Sequence, residues 1–296
     1  MAVPVLPTNK PPNLQRRGTT TSTLIIPSRT GHRRTLIDFF VKATNSSYCD
    51  ISIGNVIWNR IYDNLTQAKL VSDITERYEN KGFLRYLASI IPEFPFPTAA
   101  QDEDIIINRA ASPIRIDAYF RDTTEGDVVS HTLPGGSMAT KHLLIINLSN
   151  ASNITASGTF YFDSLDMPAG LTPFSEGTDI VAGARRMAAN QRFTVYVIAG
   201  DFPKAGSSKV TRVHLLEEQI ELFTSENQEG LLVDPDQGNE LSFDLKACSL
   251  FKLPEPYVFE PNKLYSFKGE ATYDGTNALM AGTQKLFLIG VREYIA

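Results

Sequence analysis

Apolar and polar residues alternate one by one along most of this chain. Ile51 and Ile53 stand between polar or small neighbours, and Val56 and Trp58 continue the pattern after a Gly-Asn step. Successive side chains of a β-strand point to opposite faces, so a period of two predicts strands with one buried face. We expect about fifteen such strands, and therefore an all-β fold of antiparallel sheets.

The predicted strands are bounded by Gly, Pro, Asn or Asp, which favour turns. In the first half of the chain they are 36–41, 49–58, 104–108, 114–120, 127–133 and 141–148. In the second half they are 158–165, 192–198, 210–216, 219–223, 241–248, 264–273 and 285–294. Many short strands separated by turns are typical of sandwiches and barrels.

One stretch of the first half has helical spacing instead. Between Gln67 and Ile91 the apolar residues recur every three or four positions, Asn80-Lys81-Gly82 interrupts them, and Pro92 follows. This pattern predicts two short helices inserted between strands.

A small polar segment lies near the midpoint of the 296 residues. Ser149–Ser157 reads SNASNITAS, a composition that favours turns and linkers. We therefore expect two β units: residues 35–150, which include the helical insertion at 67–91, and residues 151–296. Arg34–Val41 resembles Arg192–Ile198, but any two strands can match this well by chance.

The first 34 residues are expected to form a basic arm. Residues 1–37 contain no Asp or Glu, although the whole chain has 33 acidic against 28 basic residues and a net charge of −5. Such asymmetry predicts a charged arm on an acidic body. The arm is either a disordered solubilising tail or a contact to anionic lipid or a neighbouring subunit. Its candidate contact residues are Lys10, Arg16, Arg17, Arg29, Arg33 and Arg34.

No catalytic pattern is present in the sequence. The four histidines, His32, His131, His142 and His214, have no spacing that would place two of them on one metal ion. There is no Gly-x-Ser-x-Gly nucleophile elbow and no phosphate-binding loop. We therefore expect no enzyme activity and no cofactor.

One acidic segment allows two interpretations. Asp234–Glu240 alternates oxygen-bearing side chains around Gly238, but its spacing differs from a twelve-residue calcium loop. An acidic hairpin turn is the favoured interpretation, and a cation site is the alternative.

Leader, membrane and disulfide signals are absent. Residues 1–20 lack an apolar core, and no apolar run reaches the length of a membrane span. Cys49 and Cys248 lie in alternating runs, so we expect buried thiols.

The strand number, the midpoint segment, the insertion at Gln67–Ile91 and the arm at Met1–Arg34 resemble the double-jelly-roll major capsid proteins of tailless icosahedral viruses. The resemblance covers the whole chain as architecture, without a signature motif. It implies two antiparallel jelly-roll sandwiches with a short helical insertion in the first.

The family also implies an assembly. Three chains would form a pseudo-hexagonal capsomer, and capsomers would tile the shell of a virion together with other capsid or vertex proteins. The arm would lie inside the shell, near an internal lipid membrane or neighbouring capsomers. Six basic residues are too few to neutralise a packaged genome, so we expect no sequence-specific nucleic acid binding.

A binding module is the alternative function. A viral spike or tail protein, or a lectin-like β-sandwich, would recognise glycans or a receptor. Such a module needs an exposed groove of aromatic and polar side chains in one half.

Overall fold

The computed structural model describes residues 14–43, 47–62, 65, 82–124, 141–175, 183–224 and 249–295. The first eight strands are β1 (Leu14–Thr19), β2 (Thr23–Ile26), β3 (His32–Lys42), β4 (Tyr48–Ile53), β5 (Val56–Tyr62), β6 (Thr98–Ala99), β7 (Ile105–Arg109) and β8 (Arg115–Thr124). The remaining strands are β9 (Lys141–Ser149), β10 (Gly158–Tyr161), β11 (Ser164–Leu165), β12 (Ala184–Arg186), β13 (Gln191–Asp201), β14 (Lys209–Glu217), β15 (Ile220–Thr224), β16 (Ser249–Phe259), β17 (Leu264–Thr272) and β18 (Lys285–Tyr294). The all-β prediction is confirmed, while predicted strands 127–133 and 241–248 lie outside the described residues.

The strands form four sheets, and every strand pairing in them is antiparallel. Sheet A has the order β1-β8-β3-β6, and sheet B has the order β2-β7-β4-β5. Sheet C has the order β11-β9-β18-β13-β16, and sheet D has the order β10-β17-β14-β15 with β12 also on β17. If β9, β10 and β13–β18 are counted as a second set of eight, sheets C and D repeat the strand order of sheets A and B. Strands β11 and β12 are additions to this repeat.

Irregularities of pairing recur at matching places. In β3 the register against β8 shifts between Leu36 and Asp38, and in β13 the register against β18 shifts between Val195 and Val197. Both strands are the third of their set of eight. A bulge is a specific local feature of a strand. Its recurrence therefore aligns β3 with β13 residue by residue.

The hairpins β4–β5 and β14–β15 also match in register. Their closing pairs are Ile53 with Val56 and Glu217 with Ile220. One residue of the second strand is then skipped in each hairpin: Trp58 in β5 and Leu222 in β15. Trp58 and Leu222 therefore occupy equivalent positions.

Sheet C is buried on both faces. Along β9, Leu143 and Ile145 belong to one hydrophobic core together with residues of sheets A and B, whereas Leu144 and Ile146 belong to a second core together with residues of sheet D. This double burial accounts for the continuous apolar run in β9, since neighbouring side chains point to opposite faces. The two sets of strands are therefore joined through one face of sheet C.

The boundary expected at residue 150 is corrected by the strand pairing. Strand β9 precedes that residue but pairs with β11 and β18, so it belongs to the second set. The segment taken for a linker is an ordered turn that packs on residues 279–284. Asn150 is buried there, donates to the carbonyl of Met280 at 3.0 Å and accepts from the backbone NH of Gln284 at 3.1 Å. The two sets divide between Thr124 and Lys141 instead.

One helix, α1 (Phe83–Ile90), is present among the described residues. It matches the second of the two predicted helices, and the first falls at 66–81, outside the described residues. The buried carboxylate of Asp38 on β3 lies at its N-terminus and accepts from the backbone NH of Leu84 at 3.3 Å. The chain leaves the helix at Ile91 in an extended conformation, as expected for a residue that precedes proline.

The arm expected at residues 1–34 is also corrected. From Leu14 onward the chain forms β1 and β2, which pair with β8 and β7. Leu24 and Ile26 are buried in the first core. The charge pattern predicted an arm, but Leu24 and Ile26 alternate with polar residues and bury their side chains. Strand β2 must therefore belong to a sheet that packs on the core. Residues 1–13 are outside the described residues.

No helix in the described parts of the chain is long and apolar enough to cross a membrane.

Candidate assembly interface

Two of the six predicted contact residues serve the fold itself. Arg29 and Arg34 lie 2.6 Å and 2.9 Å from the carboxylate of Asp122, which also accepts from the side chain of Gln15 at 2.9 Å. Burial raises the pKa of Asp122, but these hydrogen bonds outweigh it and hold the pKa below its ordinary value. Asp122 therefore ties the loop before β3 and the strands β1, β3 and β8 together.

The other predicted residues have different positions. Arg16 and Arg17 lie next to each other on β1, so they point to opposite faces of sheet A. Arg33 is half-buried on β3, and Lys10 lies outside the described residues. Arg17 is exposed and lies opposite Ala118 on the core side of this edge strand.

The side of sheet A that faces away from sheet B carries a concentration of positive charge. Directly paired residues of an antiparallel sheet share a face, so the pairings of β1 and β3 with β8 identify its members. We call this surface the basic face; its charged members are Arg16, Arg33, Asp38, Lys42, Arg115, Asp117 and Arg121, of which Asp38 is buried beneath the N-terminus of α1. Five basic residues thus share this face with two acidic residues, on a chain whose net charge is −5.

Aromatic rings occupy the middle of the basic face. Phe40 and Tyr119 meet edge to face with ring centroids 5.8 Å apart, and the Arg16 guanidinium lies 5.9 Å from the Tyr119 centroid. Asp117 pairs with both Arg16 at 3.0 Å and Arg115 at 2.7 Å. Its pKa is raised by burial but lowered more by these two partners, so it stays charged at neutral pH. Aromatic and arginine side chains of this kind are enriched in protein interfaces.

Lys42, Arg115 and Arg121 were not among the residues predicted from sequence. They are separated along the chain, and only strand pairing brings them to the same face as Arg16. The available signal was the alternate positions of Arg115 and Arg121 in and directly after predicted strand 114–120, and the position of Lys42 directly after predicted strand 36–41.

The equivalent side of sheet C is apolar and covered. Its exposed fractions are close to zero at Ile145, Val197, Phe287 and Ile289. The β4–β5 hairpin of the first set lies against it. The ring of Tyr62 is 5.4 Å from that of Phe287.

Trp58, the skipped residue of β5, contacts the same sheet. Its ring centroid is 5.8 Å from that of His142 on β9, and both residues are buried. Burial lowers the pKa of His142 to about 3, and the nearby Arg292 lowers it further, so the imidazole is neutral. A neutral ring suits this apolar contact.

Polar bonds fix the position of β5 against sheet C and the loop after β11. The side-chain amide of Asn59 donates to the carbonyl of Leu143 at 2.9 Å. Arg60 bridges Asp50 at 2.8 Å and Asp166 at 2.9 Å, and the Tyr62 hydroxyl donates to the carbonyl of Asp166. Buried hydrogen bonds with defined partners give this contact a single geometry.

The matching hairpin of the second set is acidic and has an exposed apolar tip. Ile220 is 69% exposed, the largest value among the exposed large apolar side chains of the described residues. Glu217, Glu218 and Glu221 lie beside it within five residues of sequence. A carboxylate oxygen of Glu221 also accepts a hydrogen bond from Nδ1 of His214 at 2.8 Å. An exposed isoleucine ringed by glutamates is a candidate contact surface.

No group of three or more His, Cys, Asp or Glu side chains in the described ranges is arranged to hold a metal ion. The acidic segment Asp234–Glu240, together with His131 and Cys248, falls outside those ranges. Cys49 is buried, as expected.

Comparisons with known proteins give little similarity. No family model matches the chain, and no curated protein matches it. Among solved structures, the tandem CBM51 modules of a family 98 glycoside hydrolase from Streptococcus pneumoniae SP3-BS71 match with 10% identity and a TM-score of 0.22, over 94% of this chain and 83% of that one. Dimeric latent PorU from Porphyromonas gingivalis matches with 11% identity and a TM-score of 0.21, over 90% of this chain and 24% of that one. At TM-scores this low, neither structure informs the function of this chain.

Proposed function

We propose that this protein is a structural virion protein: a double-jelly-roll major capsid protein that trimerises into pseudo-hexagonal capsomers. The observation that carries the proposal is the repeated strand order. Each set of eight strands has the order first-eighth-third-sixth in one sheet and second-seventh-fourth-fifth in the other. Eight antiparallel strands wound as two Greek keys across two sheets are a jelly roll.

The contact between the two sets supports an assembly of repeated units. Within the chain, the β4–β5 hairpin of the first roll lies against β9 and the outer side of sheet C in the second roll. This contact joins different surfaces of the two rolls and is therefore heterologous. A heterologous contact that repeats between chains closes a ring when its rotation permits. Two rolls per chain make six units in a ring of three chains.

The partners of such a capsomer follow from the proposal. They are further copies of the chain in a shell, other capsid or vertex proteins, and an internal lipid membrane. Residues 1–13, which include Lys10, precede β1 and are the part of the predicted arm left for contact with anionic lipid or a neighbouring capsomer. The protein is then located in the virion and acts without catalysis or a cofactor.

Sedimentation equilibrium of the purified full-length chain tests this function. We expect a species with three times the 32.8 kDa mass of one chain at micromolar concentration. A chain that stays monomeric up to the highest soluble concentration would overturn the proposal and favour a binding module for glycans or a receptor.

A further inference from the structure

We propose that the basic face of sheet A in one copy is the docking surface for the β14–β15 hairpin of a second copy. The inference rests on the proposed function and names the surfaces through which copies meet. The contact between chains would then resemble the contact inside each chain, in which a hairpin of one roll lies against a sheet of the other.

The contact inside the chain supplies the template. The β4–β5 hairpin lies against sheet C beside β9, where Tyr62 meets Phe287 on the outer side and Trp58 meets His142 on β9. Sheet A has the same strand order as sheet C, and its outer side is the basic face. By equivalence, the basic face is where a hairpin of the second roll would lie. The β14–β15 hairpin cannot reach the basic face of its own chain, because the second roll is already held against the first roll through sheet C. The hairpin must therefore come from another copy.

The two hairpins are built alike. Each has a two-residue turn and skips one residue of its second strand, Trp58 in one and Leu222 in the other. Their tips carry exposed apolar side chains at the same position: Val56 is 44% exposed and Ile220 is 69% exposed. The β14–β15 hairpin can therefore approach a sheet in the orientation that the β4–β5 hairpin adopts.

Charge identifies the occupant as a second copy of this chain. The basic face has five basic residues and two acidic residues, one of which, Asp38, is buried, whereas the hairpin has Glu217, Glu218 and Glu221 around Ile220. Surfaces of opposite charge attract each other and suppress wrong pairings. By equivalence with Trp58, Leu222 would approach the aromatic pair Phe40 and Tyr119, and the more exposed Ile220 would lie at the margin of the contact.

The difference between the two outer faces has a physical reason. The outer side of sheet C is covered as the chain folds and can be fully apolar. A face that must remain soluble until another copy arrives needs charge, because a large exposed apolar patch would aggregate. The basic face is half-exposed and charged, with rings only at its centre.

Two variants separate the two surfaces. The face variant carries Lys42→Glu and Arg121→Glu, both at exposed positions of sheet A. The hairpin variant carries Ile220→Lys and Glu221→Lys. The matched control is Val56→Lys, which changes the equivalent exposed position of the hairpin that already docks within the chain. Far-ultraviolet circular dichroism and thermal unfolding confirm that each variant folds.

Mass measurement of each variant alone and of a 1:1 mixture is the test. We expect each variant alone to be monomeric, at least tenfold weaker in association than the wild type, and Val56→Lys to assemble normally. In the mixture, the hairpin of the face variant and the face of the hairpin variant are both intact. One good contact can therefore form per pair, and we expect heterodimers that do not grow further.

The outcomes separate this inference from the proposed function. If the wild type and both variants all form trimers, the proposed docking surfaces are wrong, but the proposed capsomer is not contradicted. Monomeric variants whose mixture yields no heterodimer would also overturn this heterologous contact. A monomeric wild type would overturn both.

Discussion

The Nε atom of Arg34 lies 2.9 Å from a carboxylate oxygen of Asp122, at the end of sheet A. The guanidinium of Arg34 also lies 5.3 Å from the centroid of the Phe120 ring. Asp122 is on β8, and the groups that surround it come from the first 34 residues of the chain. One buried carboxylate thus makes basic residues that were expected in an arm part of a folded β-sheet.

The substitution Asp122→Asn should destabilise the fold by about 1–3 kcal/mol, the range for hydrogen bonds to charged groups. The pKa of Asp122 is lowered in the folded chain, so its contribution is present above the ordinary Asp pKa and is lost as pH falls through the folded value. Urea unfolding at pH 7 and pH 3 should therefore show a larger difference between wild type and variant at pH 7. Asp117→Asn is the control, because its partners are half-exposed and should contribute below about 1 kcal/mol.

Asp38 should make stability fall as pH rises. Burial raises the pKa of Asp38 to about 7, although hydrogen bonds from Leu84 and Phe39 oppose the shift. A raised carboxyl pKa contributes stability at low pH, which is lost between the ordinary value of 3.8 and about 7. Asp38→Asn should be near neutral at pH 4 and stabilising at pH 8, with a slope of at most about 1.4 kcal/mol per pH unit relative to wild type. Parallel pH profiles of the two proteins in urea unfolding would contradict this.

His142 should make stability fall as pH decreases, opposite to the effect of Asp38. Its pKa is lowered from 6.5 to about 3, chiefly by burial, so below pH 6.5 the unfolded chain takes up a proton that the folded chain does not. Stability should therefore fall as pH decreases from 6.5 towards 3. His142→Gln should remove this acid sensitivity, which thermal unfolding at pH 7, 5.5 and 4 would measure. His32→Gln, at a half-buried position hydrogen-bonded to the backbone of Thr30, is the comparison.

Trp58→Ala should weaken the contact between the two rolls. The side chain is buried against His142 on β9, and truncation of a buried Trp costs about 3–5 kcal/mol. Hydrogen exchange should then increase in β5 and β9 more than in β2 or β7. Val56→Ala is the control. Val56 lies two positions away and is 44% exposed, so this substitution should not change hydrogen exchange in β5 or β9. Equal exchange throughout the chain would indicate that Trp58 is only a core residue of the first roll.

The all-β class followed from alternation, because a buried sheet face imposes a period of two on the residues that cover it. The boundary between the two sets of strands did not follow. The apolar run Leu143–Ile146 signals a strand buried on both sides, and that burial depends on the first set of strands, which lies elsewhere in the sequence. The polar segment after it is an ordered turn, since Asn150 bonds to residues 130 or more positions away.

The similarity between strands near Arg34 and Arg192 turned out to lie in equivalent strands. The bulges align β3 with β13. In this alignment Arg192 is equivalent to Arg33 rather than to Arg34. The basic face was missed for a different reason. Charges that meet across a sheet are set by strand register, which depends on tertiary pairing rather than on local spacing.

Electron microscopy of the purified full-length protein tests the central claim most directly. Class averages in negative stain should show a ring-shaped particle of three chains with six similar lobes, two for each chain. The six lobes follow from the proposal that each chain has two jelly rolls and that three chains meet through repeated contacts. Single two-lobed particles, or particles with only two-fold symmetry, would contradict the account.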